Sequence, residues 1–187
     1  MNLFDRISPY IPDKSKVLDL GCGDGSFLYK LIQYKNCQGY GIEIDFSNIL
    51  TCIKRGIPVY QGNIDDGLSG FPDNSYDVVI LSLTLQQITK PLFVLQEMVR
   101  VGKQVIVTFP NFGYWRIRAQ VSMMGRSPLT SELPYQWYET PNIRIMTIRD
   151  FRMLCHRHGI AIVREIPSSF FANFLEKTGL FILEKQP

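Results

Sequence analysis

Short apolar runs recur along this chain with helical stretches between them. Lys16 to Leu20, Gln38 to Asp45, Val59–Tyr60, Tyr76 to Leu81 and Gln104 to Phe109 read as strands. "YDVVIL" and "QVIVTF" are almost wholly apolar, as strands buried on both faces are. Between them, Ser26 to Tyr34 places Phe27, Leu28, Leu31 and Ile32 on one helical face. Phe46 to Lys54 suits a helix closed by Gly56, and Pro91 to Val99 one with proline in its first turn. Leu3 to Ile11 reads as a short opening helix ended by Pro12, and Thr147 to His158 as a late one. "IAIVREI" and "LFILEK" are two final strands with no crossover of usual length between them, which predicts an antiparallel end. The alternation predicts one α/β domain over residues 1–187. Its sheet is mostly parallel, of about seven strands, with helices on both faces.

Composition narrows the class. The chain has 187 residues, 45% hydrophobic and 20% charged, the balance of a globular protein. A formal net charge of +3 does not argue for a nucleic-acid partner. No apolar run reaches the length of a membrane span, and the first residues lack the apolar core of a signal peptide, so the expectation is a cytoplasmic protein without a membrane partner. Cys22, Cys37, Cys52 and Cys155 are scattered without CxxC spacing; they read as reduced, mostly buried thiols, and no metal site is expected.

The chemistry concentrates in "VLDLGCGDGS", Val17 to Ser26. Gly21, Gly23 and Gly25 follow an apolar strand, but Ser26 stands where a dinucleotide fingerprint has its third glycine. Asp19 precedes the first glycine, and an acid beside a pyrophosphate is repelled. A ligand bearing an ammonium and a sulfonium is attracted, which points to S-adenosylmethionine (SAM) or its product S-adenosylhomocysteine (SAH). Glu43, at the end of the second strand, suits the ribose hydroxyls, with Asp45 the weaker candidate. Asn63, in "GNID" after the third strand, suits an adenine edge.

"VLDLGCGDG" resembles the first motif of class I SAM-dependent methyltransferases. "SYDVVILSLTLQQITKP", "EMVRVGKQVIVTFPNFGYWRIR", "MMGRSP", "LPYQWYETPNIR" and "TIRDF" are together similar to the MetW family of methionine-biosynthesis proteins. The resemblance runs from about Leu3 to Ile166 and implies a Rossmann-like methyltransferase fold. It also implies a role beside the homoserine O-acyltransferase MetX. The cofactor positions it carries over are Asp19, Gly21, Gly23, Glu43 and Asn63, with Cys22 inside the same loop. Ser82 and Leu83 fall just past the fourth strand, beside the methyl group in this fold, and Gln86 is the nearest polar side chain able to orient an acceptor. Two positions depart from the family pattern: Asn63 replaces a common aspartate, and Leu83 a usual glutamine.

A catalytic base is not evident. His156 and His158 lie two residues apart on a predicted helix and share no face; both suit a helix end. Cys22 reads as packed within the loop. Residues 111–146 interleave aromatics with arginines and fit a nucleic-acid surface, a lid, a partner surface or a structural cap. The slight charge disfavours the first, and the resemblance favours a partner surface with Trp115, Arg116 and Trp137 as anchors. Two functions follow as expectations. One is a SAM-binding protein that supports or regulates a MetX-like acyltransferase. The other is a SAM-dependent methyltransferase acting on a small molecule.

Overall fold

The computed structural model describes residues 3–185. In chain order its main elements are α1 (Leu3–Ile7), β1 (Lys16–Leu20), α2 (Ser26–Lys35), β2 (Gln38–Glu43), α3 (Phe46–Lys54), β3 (Val59–Gln61) and β4 (Tyr76–Ser82). Then follow α4 (Pro91–Val101), β5 (Gly102–Pro110), α5 (Trp115–Met124), α6 (Ile148–Arg157), β6 (Ile160–Glu165), α7 (Ala172–Leu175) and β7 (Thr178–Lys185). The seven strands form one sheet in the order β3-β2-β1-β4-β5-β7-β6. The first five run parallel, and β7 pairs antiparallel with both β5 and β6. The four-residue α7 is too short to carry a parallel crossover, so the return to the sheet is antiparallel, as the sequence predicts.

Strand alternation divides the core. Leu18, Leu20, Val79, Leu81, Val105 and Val107 pack with Leu95 and Met98 of α4 and Phe151 of α6. Val17, Val78, Ile80, Ile106 and Leu180 point the other way, onto Ile7 of α1, Leu28 and Leu31 of α2, and Cys52 of α3. All four cysteines are buried.

The elements depart from expectation in three places. The opening helix ends at Ile7, and Ser8–Tyr10 tighten into a 3-10 turn, because Pro9 brings no donor to continue the α pattern. Thr147 caps α6 rather than joining it: its side chain accepts from Asp150 N while the Asp150 carboxylate accepts from Thr147 N. Residues Trp115–Met124 form α5 inside the aromatic–arginine stretch, to which the sequence pattern assigns no element. This helix buries only Ile117, so it lacks the apolar stripe that announces helices from sequence.

The topology fixes where a ligand goes. From β1 the chain winds outward through β2 and β3, then returns to β4 on the other side of β1. Loops after β1 and β4 therefore diverge, and the crevice at their carboxyl ends is the binding place of open α/β sheets.

Candidate cofactor site

A cavity of about 780 Å³ opens at that crevice. The loop after β1 forms its floor. Gly21, Gly23 and Gly25 all have positive φ, at 71°, 55° and 73°, a region that disfavours side chains. Two of them serve different ends. A Cβ on Gly21 would stand 2.9 Å from Thr84 Cγ2, so this glycine admits the turn after β4. A Cβ on Gly23 would meet nothing within 4 Å; this is the glycine that faces open cavity.

Glu43 pins the loop. Its Oε2 accepts from Gly23 N at 2.8 Å, and its Oε1 accepts from Ile44 N and Asp45 N at 2.8 and 2.9 Å. A carboxylate has about four acceptor positions, so three backbone amides take most of the capacity of Glu43, which is not reserved for a ribose. Asp45 leaves the strand and caps α3, accepting from Asn48 N at 2.9 Å, and it also lines the cavity. Asn63 caps the 3-10 turn Ile64–Asp66, with Oδ1 accepting from Asp65 N at 3.0 Å. That leaves its Nδ2 as the donor it can offer. Asp65, which sequence reasoning did not single out, lines the cavity and accepts from Thr89 N and Lys90 N at 3.1 and 2.8 Å.

Asp19 lies beneath this floor. On β1 it occupies a position where alternation calls for an apolar residue; it is 3% exposed, and its Oδ1 has no hydrogen-bond partner. Burial and then the charge of Glu43 push its carboxyl up to about 7. Cys22 is also below the floor: its Sγ is 3.9 Å from Cys52 Sγ, and burial, then the charge of Asp19, push the thiol far above its ordinary range. It packs and does not line the cavity, in keeping with the packed reading and apart from its place among the cofactor positions.

The other wall is the turn after β4. Ser82 and Leu83 line the cavity. Gln86 does not. It is 4% exposed, with Nε2 donating to Leu83 O, so its side chain is turned into the protein and away from an acceptor. Its neighbours Thr84, Gln87 and Ile88 line the cavity instead, because the 3-10 turn Leu85–Gln87 rotates Gln86 inward.

Residues 111–146 divide between cap and lid. Tyr114, Ile117 and Leu133 form a small buried cluster with Phe112 against it, the cap reading in miniature. Tyr135 and Pro141 reach the cavity, as the lid reading has it. The three proposed anchors are solvent-facing: Trp115, with the Arg116 guanidinium 5.3 Å from its ring, and Trp137, which is 71% exposed and packs edge-on to Tyr138. Trp115 and Arg116 open α5 while Trp137 lies beyond its end, so they stand on separate parts of the segment. His156 and His158 sit at the carboxyl end of α6, away from the cavity lining, where a helix end favours them.

Comparison with known proteins agrees with this fold. The family model described as "Methionine biosynthesis protein MetW" matches residues 2–183. The bifunctional methionine biosynthesis protein MetXA/MetW of Rhodopirellula baltica is 37% identical over 171 residues, covering 87% of this chain and 27% of that protein. The chain thus spans about a quarter of that relative's length. Among solved structures, the S-adenosylmethionine-dependent methyltransferase of Mesorhizobium loti superposes with a TM-score of 0.72 at 14% identity, covering 97% of this chain and 96% of that one. A SAM-dependent methyltransferase of Thermotoga maritima, a possible histamine N-methyltransferase, gives 0.70 at 16% identity, covering 98% and 87%. At such identities the likeness shows the fold. Among the described residues no helix is long and apolar enough to cross a membrane.

Proposed function

This chain belongs to the MetW family of methionine biosynthesis, and we propose that residues 1–187 act as one unit that binds SAM or SAH and supports or regulates a MetX-type homoserine O-acyltransferase. The observation that carries the cofactor half is the charge of the cavity. Glu43, Asp45 and Asp65 line it, and its described lining residues include no lysine, arginine or histidine. A pyrophosphate meets repulsion there; a sulfonium and an ammonium meet attraction. In this reading Glu43 takes the ribose hydroxyls with its remaining acceptor capacity, Nδ2 of Asn63 meets the adenine edge, and Asp19 supplies negative charge beneath the amino-acid end. Ser82 and Leu83 then stand at the methyl group.

The acyltransferase half rests on the relative's name, which joins MetXA and MetW in one chain, and on the outward-facing Trp115, Arg116 and Trp137. Aromatic and arginine side chains of this kind are the usual anchors of interfaces. Titration calorimetry with SAM, SAH and NAD tests the first half: heat from SAM or SAH and none from NAD is expected, and equal binding of NAD overturns it. Co-purification with a homoserine O-acyltransferase tests the second.

A second reading, methyl transfer to a small molecule, is favoured by the lid. Tyr135 and Pro141 roof the cavity on which Leu83 and Thr84 also border, and methyl transfer asks mainly for alignment, with a base where the acceptor is protonated. In this reading the Tyr135 hydroxyl, on the lid, helps to orient the acceptor by a hydrogen bond. Labelled methyl from SAM entering small molecules of a cell extract, and less of it with Tyr135→Phe, would put this reading first; no transfer leaves the binding role in place.

A further inference from the structure

The cofactor wall and the lid are joined at the turn after β4, with Gln86 at the junction. The Gln86 side chain donates to Leu83 O. The Gln86 main-chain carbonyl accepts from both Ile143 N and Arg144 N, each at 3.0 Å. The side-chain bond holds the cavity wall, and the two main-chain bonds hold the strap that carries Tyr135 and Trp137.

Leu83 makes the first bond consequential. It lines the cavity and holds φ at +53°, a left-handed conformation that is unfavourable for a residue with a side chain. Two restraints keep it there. Thr108 O and Thr108 Oγ1 both accept from Leu83 N, at 3.0 and 3.1 Å, and Gln86 holds the carbonyl. The strap end is reinforced by Arg144, whose guanidinium donates to Ile88 O at 3.3 Å and Thr89 O at 2.6 Å. Ile88 is again a cavity residue.

Gln86 is also imperfectly satisfied. It is buried, and its Oε1 has no hydrogen-bond partner. A buried acceptor left without a donor is destabilising, so a turn rearranged to give Oε1 a donor would relieve it. Two arrangements of similar energy, biased differently by a ligand, are what coupling between sites requires.

We propose that Gln86 is a positioning residue that couples occupancy of the cofactor cavity to the strap Tyr135–Arg144, so that a bound ligand alters the surface on which Trp137 stands. The proposal rests on the cofactor reading and adds regulation to it. A ligand packed on Leu83 favours its left-handed form. That form presents the carbonyl to Gln86, fixes the Gln86 main chain, and through it the amides of Ile143 and Arg144. Removing the ligand frees the turn to seek a donor for Oε1, and the strap loosens with it.

The chain has two tryptophans, so Trp115→Phe leaves Trp137 as the lone reporter on the strap. The variant of residues 1–187 is titrated with SAM, following heat and tryptophan emission in parallel. The expected result is a saturable emission change with the same midpoint as the heat. Gln86→Leu, which keeps bulk and removes the donor, should abolish the emission change and raise the SAM dissociation constant by roughly tenfold, the worth of about one hydrogen bond. Arg144→Met acts from the exposed side of the same junction and should reduce the emission change with the fold intact; it carries the test if Gln86→Leu fails to fold. Absence of heat in the Trp115→Phe protein overturns the cofactor reading and the coupling together. Heat with an unchanged Trp137 signal overturns the coupling alone, as does a full signal that survives in Arg144→Met.

Discussion

In the cradle of Gly21, Gly23 and Glu43, main-chain groups and strand ends place the polar atoms. Glu43 holds three backbone amides, and Asp19 is fixed by its neighbours on β2 and β4. In the segment 111–146, a helix with one buried residue is followed by an extended strap whose aromatics mostly face water. The cradle is stiff because its geometry is dictated by the sheet. The strap is held by a three-residue cluster at one end and by hydrogen bonds to Gln86, Ile88 and Thr89 at the other. On the proposed reading the cradle meets the ligand and the strap meets the partner. Substitutions in the first should be felt in ligand affinity, and those in the second first in what docks on the surface.

The largest effect is expected from Asp19. Its carboxyl is raised from the ordinary 3.8 to about 7, so the folded protein binds the proton more tightly than the unfolded chain. Such a group contributes stability that is fully present below 3.8 and is lost as pH rises through 7. The loss is on the order of 4 kcal/mol at 1.36 kcal/mol per unit. Other carboxylates titrate as well, and Asp24, Asp45, Asp65, Asp77 and Glu97 are lowered, with the opposite slope. The quantity to measure is therefore the difference between wild type and Asp19→Asn in urea unfolding across this range. The asparagine variant should gain on wild type as pH rises, and a flat difference would mean Asp19 is not buried as an acid. SAM should shrink the gap, since its ammonium favours the ionised carboxylate.

Glu43 comes next. Glu43→Ala should weaken SAM binding by about 3 kcal/mol, roughly a hundredfold, through lost bonds to a charged acceptor and release of Gly23. Glu43→Gln sharpens the point: the amide matches the carboxylate in size but turns a donor toward Gly23 N or toward Ile44 N and Asp45 N. A glutamine variant with native affinity, measured by calorimetry, would show that the backbone bonds are dispensable.

The same contrast explains what the sequence disclosed. Strands announce themselves as apolar runs, and the glycine–acid pattern of Val17–Ser26 specifies a backbone shape that side chains obstruct, so fold and cradle were readable. Family resemblance added the link to methionine biosynthesis. The turn after β4 was only half readable. Ser82 and Leu83 were placed by strand counting, but whether Gln86 or Gln87 meets the cavity depends on a single 3-10 turn, which has no sequence period long enough to detect. Asp65 was missed because one acid in "GNIDD" looks like another until Thr89 and Lys90 come to it from a distant loop. The strap was least readable. Tyr135, Trp137 and Tyr138 are aromatic alike, yet Tyr135 lines the cavity and Trp137 faces solvent; tertiary contacts, and not periodicity, make that choice.

The cluster beneath the strap gives an intermediate effect. Leu133 is 5% exposed and packs with Tyr114 and Ile117. Leu133→Ala should cost about 2 kcal/mol, the low end for a buried leucine, because so small a cluster can relax around the vacancy. Thermal unfolding measures it. SAM affinity should fall less than with Glu43→Ala, since Leu133 does not touch the cavity. A larger loss of affinity than of stability would show that strap and cradle are more tightly joined than the comparison allows.

The smallest effect on the fold is expected at Trp137, and it decides what the strap is for. A tryptophan buried in a cap would cost about 3–5 kcal/mol on truncation. Trp137 is 71% exposed and its ring partner is the adjacent Tyr138, so Trp137→Ala should shift stability by about 0.5 kcal/mol or less. SAM binding should persist within a few-fold. Association with a homoserine O-acyltransferase is where the loss should appear, at about 2 kcal/mol for an interface anchor, and Trp115→Ala provides the parallel test on α5. If both variants keep fold, cofactor and association, the exposed aromatics serve another end, and the acyltransferase partner loses its proposed surface. If Trp137→Ala alone loses association, docking belongs to the strap, beside the cavity, where cofactor occupancy can reach it. If Trp115→Ala alone does so, docking belongs to α5, whose side chains do not line the cavity, and partner binding becomes independent of the cofactor.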